Sequence, residues 1–197
     1  MAFISILEII DIIIMTLAIG FIFKDWFKKP IFYHDDPIGA YHKQNKFINW
    51  DDFKFAIIVT APAIIFHEFG HKFAAIVMGL YATFHAAYTW LGLGIVLKLV
   101  GAPFVFFVPA YVAHSAAALP WQSALIAFAG PAVNLLLWLG AAYILKTSKR
   151  TKKLSHTTFV ALELTKKINM FLFIFNMIPI PGFDGWHVFS GLYGMFF

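Results

Sequence analysis

The sequence predicts an all-α polytopic membrane protein, and its composition is the first reason. Of its 197 residues, 61% are hydrophobic and only 13% are charged, whereas soluble domains are about 45–50% apolar and about 25% charged. The second reason is that several apolar stretches approach or exceed the roughly 20 residues needed to cross the hydrocarbon core. They predict about four transmembrane helices in a single membrane-embedded domain over residues 1–197, at 1–23, 55–80, 120–145 and 168–197.

The first predicted helix, residues 1–23, has the pattern of a membrane span rather than of a removable signal peptide. It has no basic residue before its apolar stretch and no small-residue cleavage site. Glu8 and Asp11 lie three residues apart, so they share one face of this helix. That face either meets a protein interior or a polar pathway, or it lies at the membrane interface, and the sequence leaves both open.

The segment 81–119 interrupts the helical pattern. Short strands or a re-entrant hairpin fit it better than a spanning helix, and such backbone must be buried in protein, line a water-filled cavity or pair with another strand. A free strand edge there would suit a peptide that binds by adding a strand. The residues that argue against a continuous helix are glycines and prolines: Gly92, Gly94, Gly101, Pro103 and Pro109.

Lysine and arginine concentrate in two polar connections, six of them in residues 24–54 and seven in residues 146–167. The positive-inside rule places both basic loops in the cytoplasm. Basic loops beside apolar spans indicate contact with anionic lipid, so the net charge of +5 does not indicate nucleic acid binding. The absence of cysteine excludes disulfides and thiolate metal sites, which leaves histidine and carboxylate as candidate metal ligands.

An HExxH motif, from His67 to His71, lies inside the second predicted span. Its histidines are four residues apart, so a helix places both imidazoles on one face, where they can bind a single zinc ion. Glu68 is then placed to act as general base on a water molecule that the metal activates. Ionisable groups at this depth are costly, which favours a functional role over an accidental match.

A third ligand must come from elsewhere, because catalytic zinc takes three protein ligands and leaves one position for water. Asp184, in the last predicted span, is the obvious carboxylate. Pro179 and Pro181 cannot continue a helix, so the backbone before Asp184 is predicted to be extended within the membrane. The alternative is that Asp184 only caps the half-helix that follows it.

Asn134 is a polar residue in the otherwise apolar third span, four residues after Gly130. Its amide could donate to the oxyanion of a tetrahedral intermediate. Plain hydrogen bonding between helices is the competing explanation.

Three ordered motifs, which together cover most of the chain from about Phe55 to Trp186, resemble those of the intramembrane site-2 metalloproteases. They are His-Glu-x-x-His at 67–71, Gly-Pro-x-x-Asn at 130–134 and Asn-x-x-Pro-x-Pro-x-x-Asp-Gly at 176–185. The resemblance also implies a membrane-associated β-rich segment between the second and third spans. The chain departs from the family in having Phe183 where leucine is usual, and we expect neither a PDZ nor a CBS domain.

The resemblance implies a zinc ion held by His67, His71 and Asp184, with Glu68 activating water and Asn134 assisting at the scissile carbonyl. It implies cleavage of membrane-spanning segments of other proteins within the lipid bilayer. We expect no further helices to shield the site, since the sequence stops twelve residues after Gly185, and oligomerisation of the protein could substitute for them. Two other functions stay open: a catalytically silent homologue that binds membrane segments, and a metal-ion transporter.

Overall fold

The computed structural model describes residues 3–30, 49–102, 108–115, 118–151 and 154–195. Within these ranges the chain is mostly helical, with one pair of short strands. The elements in chain order are α1 (Ile6–Phe23), α2 (Trp50–Val77), β1 (Ala82–Ala86), α3 (Tyr88–Leu99), β2 (Ala110–His114), α4 (Pro120–Thr151), α5 (His156–Asn176) and α6 (Asp184–Tyr193).

Three of these helices are long and apolar enough to cross a membrane, which indicates a membrane protein: α1, α2 and the Pro120–Ser148 part of α4. The predicted fourth span, residues 168–197, is divided into α5 and α6. Helix α5 begins earlier than expected, at His156, within the connection 146–167 that was predicted to be polar loop. The count of four spans is therefore not confirmed, since α5 carries Glu163, Lys166 and Lys167 near its middle.

Helices α1 and α2 pack side by side in opposite directions. At one end, the amide of Lys29 donates to Asp52 at 2.9 Å, shortly after α1 ends and α2 begins. Close to the same end, Gly20 lets α1 approach α2 closely, because a Cβ atom there would lie 2.5 Å from the Ile57 side chain. At the other end, Glu8 of α1 forms a buried ion pair with Lys72 of α2.

The segment between α2 and α4 contains the predicted strands, although not as a tight hairpin. β1 and β2 are antiparallel, with Phe84 opposite Val112. Helix α3 connects them, so Gly92 and Gly94, which the sequence marked as breaks, lie inside a helix. Helix α3 ends where Gly101 adopts a φ of +71°, a left-handed conformation that glycine adopts without steric cost. Pro103 lies outside the described residues.

The two edges of this small sheet have different surroundings. On the β1 edge, the amide of Phe84 donates to Glu8 at 2.8 Å and the amide of Ala86 donates to Asp11 at 3.2 Å. The two acidic residues of α1 thus take the place of a neighbouring strand, which answers the question that the sequence left open. The β2 edge has no such cover from the described residues, and β2 lines a cavity considered below.

Candidate metal centre

Helix α2 positions the HExxH motif in the protein interior. His67, Glu68 and His71 are all buried, on the part of the helix that packs against α4 and the start of α6. The close approach of α2 and α4 depends on Gly70, where a Cβ atom would lie 2.7 Å from the backbone oxygen of Ala129. The predicted helical placement of the two histidines is confirmed by these elements.

The prediction of broken helix around Pro179 and Pro181 is also confirmed, since α5 ends at Asn176 and α6 begins at Asp184. Gly182 turns the chain with a φ of +97°. Asp184 occupies the first turn of α6, where the helix dipole favours a carboxylate. The break therefore delivers an acidic side chain to the two histidines of α2.

We call His67, His71 and Asp184 the metal group. Their ligand atoms all lie within 4.8 Å of one another. The two Nε2 atoms are 3.1 Å apart, and the Asp184 oxygens lie 3.1 Å from His67 Nε2 and 3.4 Å from His71 Nε2. Tetrahedral zinc with ligand distances of about 2.0–2.2 Å holds neighbouring ligand atoms about 3.3–3.6 Å apart, so the spacing fits.

The other ring nitrogen of each histidine is held by an acceptor. His67 Nδ1 lies 2.6 Å from Asn134 Oδ1, and His71 Nδ1 lies 2.8 Å from the backbone oxygen of Ile126. Because an oxygen acceptor requires a hydrogen on Nδ1, the neutral imidazoles direct their Nε2 lone pairs into the metal group. This is the arrangement in which a histidine binds a metal through Nε2.

The chemistry of the donor set calls for a cation. Two imidazole lone pairs and a carboxylate converge, and Asp184 Oδ2 is buried without a hydrogen-bond partner among the described residues. Although Oδ2 lies near His67 Nε2, that nitrogen has no hydrogen to donate in the tautomer fixed by Asn134. Lone pairs that face one another in a buried site repel unless a positive charge lies between them, and nitrogen and oxygen ligands of this kind suit zinc.

Asn134 serves the metal group through His67. Its amide nitrogen donates to the backbone oxygen of Ala63 at 3.0 Å and to Asn169 Oδ1 at 2.9 Å. This is the hydrogen bonding between helices that the sequence left open. The oxyanion role stays a prediction, and it would require one of these two hydrogen bonds to open.

Gly130 makes room for the imidazoles. A Cβ atom at this position would lie 2.9 Å from His67 Cε1 and closer still to His71 Nε2. The glycine of the Gly-Pro-x-x-Asn motif is thus part of the wall of the site. Gly140 lies ten residues further along α4, and a Cβ atom placed there would have no other atom within 4 Å.

A cavity of about 530 Å³ opens on the metal group, and Glu68 is among its lining residues. Besides residues of α2 and α4, the lining includes β2 with the residues just before it, the end of α5, the break and the start of α6. Several of the side chains that line the cavity are apolar, including Ile64, Val112, Phe171 and Phe175. The cavity therefore combines the Glu68 carboxyl group and the metal group with an apolar lining.

A helical protein with membrane-length helices, a buried His-His-Asp group and an adjacent glutamate has the construction of a zinc hydrolase. Consistent with that class, the chain is 33% identical over 179 residues to a Methanocaldococcus jannaschii protein named as a candidate zinc metalloprotease. The match covers 90% of this chain and 81% of the relative. The chain therefore belongs to this zinc metalloprotease family. No family model matches it, and neither does any solved structure.

Two features of the site could not be found from the sequence pattern. Asn169 of α5 is buried against Asn134, and its only signal was an amide in an apolar helix seven residues before Asn176. The ion pair of Lys72 with Glu8 joins residues 64 positions apart. The sequence pattern does not identify which carboxylate Lys72 meets.

Proposed function

We propose that this protein is a zinc-dependent intramembrane endopeptidase of the site-2 type, which hydrolyses peptide bonds within or near membrane-spanning segments of other proteins. The observation that carries the proposal is that the metal group and Glu68 line one cavity. His67, Glu68 and His71 belong to a helix long enough to cross a membrane. A helix of this kind places peptide hydrolysis at a depth that soluble proteases cannot reach.

In the proposed reaction, the metal and the protein side chains have different tasks. When bound, zinc supplies Lewis acidity that favours hydroxide formation and stabilises negative charge on the scissile carbonyl oxygen. Glu68 takes the proton of the attacking water and passes it to the leaving amine as the peptide bond breaks. His67, His71 and Asp184 hold the metal, while Asn134 and the Ile126 carbonyl keep both imidazoles oriented.

The substrate segment would bind in extended form along β2. Backbone hydrogen bonds flank the strand pair at Ala87 with Pro109 and at Ser115 with Tyr81. In that register the amides of Ala110 and Val112 point away from β1. An added strand would pair with this edge, which requires the substrate helix to unwind first. Replacing helix-weakening residues near the cleavage site by leucine is therefore expected to slow cleavage.

The position of the site bears on which side of the membrane supplies water. At about 1.5 Å per residue, His71 lies about 9 Å from the C-terminal end of α2 and about 31 Å from the other end. The loop 24–54 precedes that other end. If both basic loops are cytoplasmic, as their charge predicts, the site opens nearer the opposite face. Water would then reach the site from that opposite face.

Cysteine labelling decides the orientation, since the natural chain has no cysteine. Lys28→Cys reports on the basic loop and Tyr81→Cys reports on the end of α2 near the site, and both positions are exposed. A membrane-impermeant thiol reagent applied to intact cells should label only Tyr81→Cys if the loops are cytoplasmic. Labelling of Lys28→Cys alone would reverse the orientation.

The direct test is cleavage of a panel of labelled single-span membrane proteins by the purified protein in lipid bilayers. The wild type is compared with Glu68→Ala and with a chelated sample to which zinc is later restored. Product from the wild type and from the zinc-restored sample alone supports the proposal and identifies the cleaved bond.

Other outcomes separate the alternatives. Zinc bound by the metal group without cleavage of any panel member would favour a silent homologue that binds membrane segments. Zinc that crosses the membrane of protein-containing vesicles would favour a transporter. Equal cleavage by the wild type and Glu68→Ala would mean that Glu68 is not the base. The mass of the purified protein in detergent, measured by light scattering, tests the homo-oligomer expected from the sequence.

A further inference from the structure

Asn169 is a fully buried amide in α5 that touches neither the metal group nor the cavity in the part of the chain described. Its Nδ2 donates to the backbone oxygen of Thr165 at 2.8 Å. Its Oδ1 accepts from Asn134 Nδ2 at 2.9 Å. A buried amide is costly unless its polar atoms are paired, and here the nitrogen donates and the oxygen accepts.

The direction of these hydrogen bonds is fixed by backbone carbonyls. The two ends of an asparagine amide have nearly the same shape, so the neighbours decide which end points where. A carbonyl oxygen only accepts, so Thr165 turns Asn169 Nδ2 toward itself and leaves Oδ1 for Asn134. Asn134 must then direct Nδ2 at Asn169 and Ala63, and its Oδ1 is left facing His67.

These hydrogen bonds determine which tautomer His67 adopts in the metal group. With Asn134 Oδ1 at 2.6 Å, His67 must carry its hydrogen on Nδ1. His67 Nε2 then directs a lone pair toward Asp184 and His71. The other ligand histidine obtains the same tautomer directly, because its Nδ1 faces the Ile126 carbonyl.

We propose that Asn169 is a positioning residue for the metal centre: through Asn134 it holds His67 in the tautomer that binds metal through Nε2. The inference rests on the zinc site of the proposed function. Without Asn169, the Ala63 carbonyl alone orients the Asn134 amide. A flipped Asn134 would present its nitrogen to His67 and favour the tautomer with hydrogen on Nε2, which cannot ligate there.

The test is Asn169→Leu, which has similar volume and no polar atoms, measured in two ways. In zinc-free protein, at a pH at which the ring ¹⁵N shifts of labelled histidine show neutral imidazoles, these shifts report each tautomer. His67→Asn identifies the His67 signals by their loss. The expected result is wild-type His67 wholly with hydrogen on Nδ1, a mixture of tautomers in Asn169→Leu, and an unchanged His71. Zinc affinity, measured by competition with a chelator, should fall about 10–100-fold.

The matched control is Phe173→Ala in the same helix. Phe173 packs against Trp138 of α4 with ring centroids 6.3 Å apart, so its loss weakens the α4–α5 contact without touching the amides. It should lower thermal stability and leave the His67 tautomer and zinc affinity unchanged. Asn169→Asp keeps an acceptor for Asn134 and should restore the wild-type tautomer.

A single Nδ1–H tautomer in Asn169→Leu together with zinc affinity within about twofold of wild type would overturn the proposal, as would equal effects from Phe173→Ala. If Asn169→Leu does not fold, Asn169→Ala is measured in the same way, with the same expected results. The tautomer is read without zinc or substrate. A wild type that binds no zinc therefore refutes the proposed function, while the tautomer result still judges the role of Asn169.

Discussion

Two buried polar clusters lie at adjacent positions of α2, and they differ in whether the protein completes them. In the Glu8 cluster, Glu8 accepts from Lys72, from the Phe84 amide at 2.8 Å and from the Ser5 amide at 2.8 Å. In the metal group, lone pairs converge and Asp184 Oδ2 lacks a partner among the described residues. The first cluster holds α1, α2 and β1 together, whereas the second needs a cation. Completeness of hydrogen bonding therefore separates a structural cluster from a binding site on one helix.

The largest expected effect comes from exchanging one carboxylate in each cluster for its amide. Asp184→Asn should lower zinc affinity by about 100-fold or more, whereas Glu8→Gln should leave it within about threefold. In zinc-free protein the same two substitutions should change stability in opposite directions. Asp184→Asn should stabilise by about 1 kcal/mol or more, because the new amide can donate to a facing lone pair, and Glu8→Gln should destabilise.

Chelator competition measures the affinities, and thermal unfolding in detergent with and without zinc measures the stabilities. The wild type itself should lose stability on chelation. Equal zinc affinities for the two variants would contradict the distinction between the clusters.

The next prediction concerns the space that Gly130 leaves for the imidazoles of the metal group. Gly130→Ala should abolish stoichiometric zinc binding, because its methyl group would overlap the imidazole of His71. Gly140→Ala in the same helix is the control, and it should bind zinc as the wild type does. Metal analysis of the purified proteins by mass spectrometry gives the stoichiometry. Full zinc content in Gly130→Ala would show that α4 can shift away from α2 without loss of the site.

The complete cluster is tested by removing one of its charges. Lys72→Met leaves Glu8 buried without a counter-charge and should cost about 3–5 kcal/mol in the free energy of unfolding. The double variant Glu8→Gln, Lys72→Met should recover most of that loss, since no charge is then left unpaired. Denaturant unfolding in detergent micelles checks both values, and the folded fraction of each should still bind zinc. Losses that simply add would argue against coupling between the two residues.

The smallest effect is expected at the surface, where Lys98 of α3 and Lys24 bind Asp25 just after α1. Partial burial would raise the pKa of Asp25, but the hydrogen bonds from Lys98 and Lys24 outweigh it and hold that pKa below its usual range. A lowered folded-state pKa stabilises above the unfolded pKa, and the contribution is lost as the pH falls through the folded value.

Asp25→Asn should therefore cost less than about 1 kcal/mol at pH 7, because exposed ion pairs contribute little. The difference between variant and wild type should shrink as the pH is lowered below the usual aspartate pKa. Melting temperatures in detergent at neutral and acidic pH give the comparison. A difference that grows on acidification would refute the sign of the shift.

The parts that the sequence predicts well are those set by local spacing. Two histidines four residues apart define a helix face wherever the helix lies, and two prolines break a helix whatever surrounds them. Other parts depend on contacts between distant segments. The partner of Lys72 is 64 positions away, and the acceptor of His71 Nδ1 is a backbone carbonyl 55 positions away, which leaves no trace in residue type.

Helix α3 shows that glycines in the sequence do not by themselves mark the end of a helix. Gly92 and Gly94 lower helix propensity, yet α3 forms against α1, where Lys98 reaches the Ile22 carbonyl at 3.4 Å and buried Leu91 joins a core with Met15 and Ile19. Packing therefore outweighs propensity here. The early start of α5 has a local cause that the sequence does contain, since Ser155 accepts from the Thr158 amide as an N-cap.

The carboxylates of Glu8 and Asp11 on the outer side of β1 limit how the small sheet can grow. A two-stranded sheet normally offers two edges for pairing, but here one edge is already occupied by α1, so only β2 can accept a neighbour. Two copies of the protein that paired through their β2 edges would each obstruct the cavity of the other. An assembly that leaves the cavity open to the proposed substrate would therefore form through other surfaces than the β2 edge.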